Sequence, residues 1–159
     1  MIVVERRGGR SLTRAVGLAM AVVAPLLLAL PVHALTLISE QEAGLPAPTG
    51  LALELRGVTR GPTITVVSPA KAAPAKSPLP VKILFEPHGG STIDIASVKV
   101  TYLRSPAVDL TDRLRPFISA RGIEVDDASI APGRHAVRID LKDAQGRPSS
   151  SILEFSVDR

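Results

Sequence analysis

The chain has 159 residues, the length of one ordinary domain with a core of its own. It carries 19 Lys and Arg against 15 Asp and Glu, and it has no cysteine, no tryptophan, one tyrosine and three phenylalanines. The missing cysteines exclude disulfides, thiolate metal sites and a lipid anchor on a cleavage-site cysteine. So few aromatics give no stacking platform for nucleic acid.

The net charge of +4 is concentrated at the start, where Arg6, Arg7, Arg10 and Arg14 against Glu5 supply +3 of it. The remainder is close to neutral, so the basic isoelectric point is no argument for a nucleic-acid partner. Ala15–Leu30 follows as an apolar run, and Pro31-Val32-His33-Ala34 closes it with a small residue at the last position and Val two before. Basic, apolar and small-residue regions in that order predict a secretory signal peptide over 1–34, cleaved after Ala34. The run is shorter than the roughly 20 residues that span hydrocarbon, so no stable membrane anchor is expected after cleavage. Gly8 and Gly9 follow Arg6-Arg7 where a twin-arginine signal needs apolar residues, which points to the general secretory route and to a periplasmic or secreted protein.

Residues 35–61 read as an N-terminal tail or a peripheral strand. Leu35–Ile38 is a short strand candidate, Gly44–Gly50 breaks regular structure, and Leu51–Leu55 alternates weakly. From Pro62 the pattern sharpens. Thr63–Val67 is β-branched throughout. Residues 68–80 carry Pro69, Pro74, Pro78 and Pro80 and predict a loop or semi-extended connection. Val81–Glu86 is a strand with Val81, Ile83 and Phe85 on one face, and Pro87-His88-Gly89-Gly90 turns the chain. Val98–Leu103 is a strand with Val98, Val100 and Tyr102 on one face.

Leu110–Phe117 is the single helical candidate, capped by Asp109 or Thr111, with Leu110, Leu114 and Phe117 at helical spacing and Pro116 limiting its length. Ile123–Val125 is a short strand. Pro132-Gly133 suits the centre of a type II turn. Ala136–Lys142 follows, with Val137, Ile139 and Leu141 inward. Asp143–Gly146 is a hairpin loop, and Ile152–Val157 buries Leu153, Phe155 and Val157. Six or seven short strands without alternating full helices predict two antiparallel sheets packed face to face. The inward residues Phe85, Tyr102, Val137, Ile139, Leu141, Leu153, Phe155 and Val157 are the expected core.

Two stretches carry a resemblance. Pro62–Pro69, a strand ending at Phe85, and Asp94–Val100 resemble bacterial immunoglobulin-like modules of exported proteins, as does the ending Pro132–His135, a strand, Asp143–Arg147 and a terminal strand through Phe155. The resemblance covers about residues 62–159. It departs in the helix near 110–117 and in lacking the buried Trp and paired Cys of antibody domains. It implies an all-β, Ig-like antiparallel sandwich over 62–159, acting as a spacer, an adhesive unit or a binding platform.

Candidate chemistry is sparse. No G-x-S-x-G turn exposes a serine. His88 and His135 are the histidines beyond the signal, and Gly89-Gly90-Ser91 is ordinary turn chemistry. His135 shares the inward parity of Val137. Asp126, Asp127, Glu124 and Asp143 are the carboxylates from which a calcium site would have to be drawn, yet no D-x-D-x-D-G loop exists. Arg113, Arg115, Arg121, Arg134, Arg138 and Arg147 are interspersed with Asp109, Asp112, Asp126, Asp127 and Asp140, which reads as a mixed-charge surface. The sequence therefore predicts a non-enzymatic exported module with no catalytic, cofactor-binding or metal-binding residue assigned and no cofactor. Its partner would be a protein or other cell-envelope component, met along an exposed sheet edge. The alternatives are a small periplasmic enzyme or metal-binding protein whose site combines His88, His135 and acidic residues, and a polyanion-binding surface protein.

Overall fold

A computed structural model describes residues 34–48, 60–70 and 73–159. The expected export signal, apart from Ala34, and the Leu51–Leu55 alternation lie outside the described residues.

Among the described residues ten strands form two five-stranded sheets. The first holds β1 (Leu35–Ile38), β2 (Thr63–Ser68), β4 (Leu79–Glu86) and β8 (Gly122–Ile130) in the order β1-β8-β4-β2, with β7 (Ile118–Ser119) also on β8. The second holds β3 (Ala75–Lys76), β5 (Ile93–Tyr102), β6 (Val108–Asp109), β9 (Gly133–Asp143) and β10 (Pro148–Asp158) in the order β3-β10-β9-β5-β6. Three strands are only two residues long, so seven longer strands carry the sandwich. All eight expected core residues are buried between the sheets. Alternation of branched apolar and polar residues makes each long strand a half-buried ribbon, and two such faces bury one another.

The sequence reading ended a strand at Val125, whereas β8 runs on to Ile130. Buried positions shift from odd (Ile123, Val125) to even (Ala128, Ile130) across Asp126-Asp127. At the same point Leu79 pairs Ala128 while Val81 pairs Val125, so β8 spends three steps against two of β4. A bulge of this kind leaves extra residues unpaired, and exposed aspartates occupy it. Pro80 lies opposite, where a residue without an amide donor is tolerated. β5 has a larger irregularity between Asp94 and Lys99, closed by Ala96 N–H donating to Asp94 Oδ1 (3.1 Å) and Lys142 N–H donating to Ser97 Oγ (2.8 Å).

Three further expectations need correction. The proline-rich connection over 68–80 is not wholly irregular, because β3 inside it pairs in parallel with Val157 and Asp158 of β10. The helical segment splits into α2 (Thr111–Leu114) and a 3₁₀ turn (Arg115–Phe117). Pro116 forces the tighter turn, which buries Leu110 and Leu114 but leaves Phe117 exposed. Neither Asp109 nor Thr111 is the N-cap. That position is Leu110, although Asp109 Oδ1 accepts the amide of Thr111 at 2.8 Å.

The packed unit also reaches N-terminal to Pro62. β1 lies parallel to the β8 edge, with Leu37 and Ile38 in the core. A short helix, α1 (Glu40–Ala43), follows it. Ser39 and Glu42 form a reciprocal capping box, Ser39 Oγ accepting Glu42 N–H (3.3 Å) and Glu42 Oε2 accepting Ser39 N–H (2.9 Å).

Candidate functional site

His88 and His135 do not meet. His88 sits in the β4–β5 turn, where Gly89 and Gly90 adopt φ of 63° and 73°. Its carbonyl accepts Arg147 Nη2 at 3.0 Å, and Arg147 Nε donates to Asp143 Oδ2 at 2.6 Å, so His88 lies at the Asp143 end of β9. His135 is eight residues away along the same extended strand, about 27 Å at 3.4 Å per residue. The site combining both histidines is therefore not assembled. Of the carboxylates considered for calcium, Asp126 and Asp127 point to solvent, Glu124 pairs with Lys82 at 2.7 Å, and Asp143 is occupied by Arg147 and the turn amides. Among the described residues no three His, Asp or Glu side chains converge as a metal site would require.

His135 belongs to a buried polar chain. It is 3% exposed and stacks between Tyr102 and Phe155, with ring centroids 5.7 and 5.3 Å away. Nε2–H donates to the Ala131 carbonyl at 2.8 Å, which leaves Nδ1 to accept the Tyr102 hydroxyl at 2.9 Å. Both ring nitrogens are thus satisfied by protein. Burial holds its pKa below the ordinary 6.5, and the nearby Arg104 charge acts in the same direction against the opposing Ala131 bond. His135 is neutral at neutral pH.

The chain continues outward. Arg104 Nε donates to the Tyr102 hydroxyl at 2.8 Å, and Nη2 donates to the Arg134 carbonyl at 2.8 Å. Its guanidinium carbon stands 5.1 Å from the Tyr102 ring centroid, a cation–π contact. These bonds fix Arg104 at the rim of a cleft of about 460 Å³ on the outer face of the second sheet. The register explains the cleft. Leu103 N–H donates to the Ala136 carbonyl, and Ala136 pairs Glu154, so Leu103, Ala136 and Glu154 form one row across three strands. Ala136 is the short member of that row and leaves a depression. Ala47-Pro48 forms a wall, held by Ser105 N–H donating to the Pro46 carbonyl at 3.0 Å. Sequence reasoning missed Arg104, because nothing in the chain signals which strand lies beside β5.

The six arginines do not gather into one basic face. Arg113 pairs with Glu42, Arg115 with Asp112, Arg138 with Asp140 and Arg147 with Asp143. Arg121 and Arg134 are exposed.

The edges differ in character. β6 and β3 are two residues long, and β1 is four. β2 is a six-residue edge strand of β-branched residues and a serine, paired with β4 on one side and with no described strand on the other. Thr63, Thr65 and Val67 face solvent, Val67 being 49% exposed. Among the described residues no helix is long and apolar enough to cross a membrane.

The chain matches no known family model and no curated protein. A solved structure, that of CopC from Methylosinus trichosporium OB3b, is similar at 21% identity and a TM-score of 0.42, over 61% of this chain and 93% of that chain. A likeness of this degree identifies no family.

Proposed function

We propose that the chain is an exported, non-enzymatic sandwich module of the immunoglobulin-like type that binds a cell-envelope protein by accepting a partner strand along β2. The observation that carries this reading is the β2 edge. Alternate amides and carbonyls of an antiparallel edge strand point away from its neighbour and can pair with an added strand. Edge strands are ordinarily guarded by charge, brevity, proline or a bulge; β2 carries no charge, and its prolines and its one irregularity, between Val66 and Ser68, lie at its ends.

The strand order supports the type. β2-β4-β8-β1 faces β10-β9-β5, which parallels the four-strand and three-strand sheets of an Ig sandwich. β1 departs from that scheme, since it fills the fourth position as a parallel strand from the N-terminal side. The basic, apolar and small-residue start supports export, and the lack of a nucleophile turn supports a non-enzymatic role.

A photo-crosslinking residue placed at Thr65 tests the reading in cells exporting the protein. The expected result is a discrete crosslinked protein that disappears when Val67→Lys puts a charge on the edge. Products of equal yield from Thr65 and from Glu154 on the other sheet, or products indifferent to Val67→Lys, would overturn it. N-terminal sequencing of the exported protein should begin at Leu35, and retention of the full chain in the inner membrane would remove the export part of the reading.

A further inference from the structure

We infer that the cleft beside Ala136 is a binding site for a small zwitterion of the short-peptide type, with an apolar side chain and both termini free. Its volume of about 460 Å³ falls within the roughly 300–1,000 Å³ of ligand clefts. Its floor is apolar where Leu103 and Ala136 line it, and Pro48 closes one side. Its rim is charged at two separate points. Arg104 and Arg134 stand on one side, and no carboxylate among the described residues pairs with either. Glu154 stands on the other, also without a cationic partner among them.

The register places two of these charges near one another without an ion pair between them. Ser156 lies opposite Arg134 and Ala136 opposite Glu154, so Arg134 and Glu154 are diagonal neighbours on the sheet. Diagonal positions stand about 7–8 Å apart at the backbone, and with no ion pair joining them both side chains are left to meet the two termini of a dipeptide. Arg104 is fixed before any ligand arrives, because Tyr102 and the Arg134 carbonyl each take one of its donors. A guanidinium held in place loses little freedom on meeting a carboxylate. Glu154 then accepts the ammonium and disfavours ligands that are anionic throughout. The site lies on the sheet opposite to β2, so it is independent of strand addition.

The test is a titration of the purified protein with leucyl-alanine up to about 10 mM, a range that detects millimolar binding. Amide resonances of Leu103, Ala136 and Glu154 are followed by NMR. N-acetyl-leucyl-alanine and leucyl-alaninamide are the comparison probes. The expected result is a saturable shift with leucyl-alanine and binding at least about tenfold weaker for each capped peptide, as loss of one charge-assisted contact implies. Arg134→Gln should weaken leucyl-alanine by about tenfold as well. It keeps the carbonyl that holds Arg104, so the fold is preserved. Glu154→Gln should remove the advantage of the free over the acetylated peptide. The inference fails if none of the three probes gives a saturable shift, if either capped peptide binds as well as the free one, or if Arg134→Gln binds like the parent.

Discussion

Glu42→Gln should destabilise the protein by about 2 kcal/mol at pH 7, and the loss should vanish in acid. Arg113 reaches from α2 to α1, Nη2 donating to Glu42 Oε1 at 2.6 Å and Nη1 to Oε2 at 3.0 Å, while Nη1 also donates to the Leu37 carbonyl at 2.8 Å. Ser39 gives the same carboxylate two more bonds, from N–H and Oγ, each 2.9 Å. The Arg113 hydrogen bonds, helped by those of Ser39, outweigh burial and pull the Glu42 carboxyl down from 4.5 to about 2. At 1.36 kcal/mol per pKa unit that shift corresponds to about 3 kcal/mol. Arg113 is 38% exposed, and solvent screening reduces the figure to about 2 kcal/mol.

The sign follows from linkage. A carboxyl with a depressed folded-state pKa contributes fully above its ordinary 4.5, and the contribution is lost as pH falls toward 2. Urea unfolding followed by far-UV circular dichroism, at pH 7 and at steps below pH 4.5, gives the gap between parent and variant at each pH. Hydrogen exchange at Ala131, whose amide donates to the Ile38 carbonyl at 3.0 Å, tells undocking of β1 from global unfolding. A gap below about 0.5 kcal/mol at pH 7 would place this pair among ordinary surface ion pairs. A gap unchanged across the acid range would refute the linkage argument.

Other substitutions probe other parts of the molecule. Phe155→Ala should cost about 3–5 kcal/mol by denaturant unfolding, because its ring is buried between the sheets beside His135. Gly122→Ala should cost about 3 kcal/mol, since the added methyl would run into the Ile83 carbonyl of β4 and φ is +149°. His135, held neutral in the fold, should make the melting temperature fall as pH drops below 6.5, where the unfolded chain takes up the proton first. His135→Phe should flatten that part of the profile between about pH 7.5 and 5.

Side-chain parity made the sandwich readable from sequence. Val137, Ile139 and Leu141 alternate with charged residues, and that period allows only one buried face. Where parity breaks, the reading stopped, as at Asp126-Asp127, since a bulge has no mark distinguishing it from a turn. β1 was legible as a strand but not as a core element, because its parallel partner lies some ninety positions further on, by about the span from Leu35 to Ala128. One signal was present and unused. Ser39-x-x-Glu42 is a capping-box pattern, and it marks the start of α1. The cleft had no such signal. Its depression depends on Ala136 falling in register with Leu103 and Glu154, and register is a property of the pairing of strands.

The buried chain through Tyr102 also has an optical consequence. With no tryptophan and a single tyrosine, all near-ultraviolet phenol emission of this protein comes from one ring. That ring is fully buried, its hydroxyl bridging His135 and Arg104 directly beneath the cleft rim. The unlabelled protein therefore carries its own fluorophore at the junction of core and cleft, where both the loosening of the sheets and any displacement of Arg104 change the surroundings of the same chromophore.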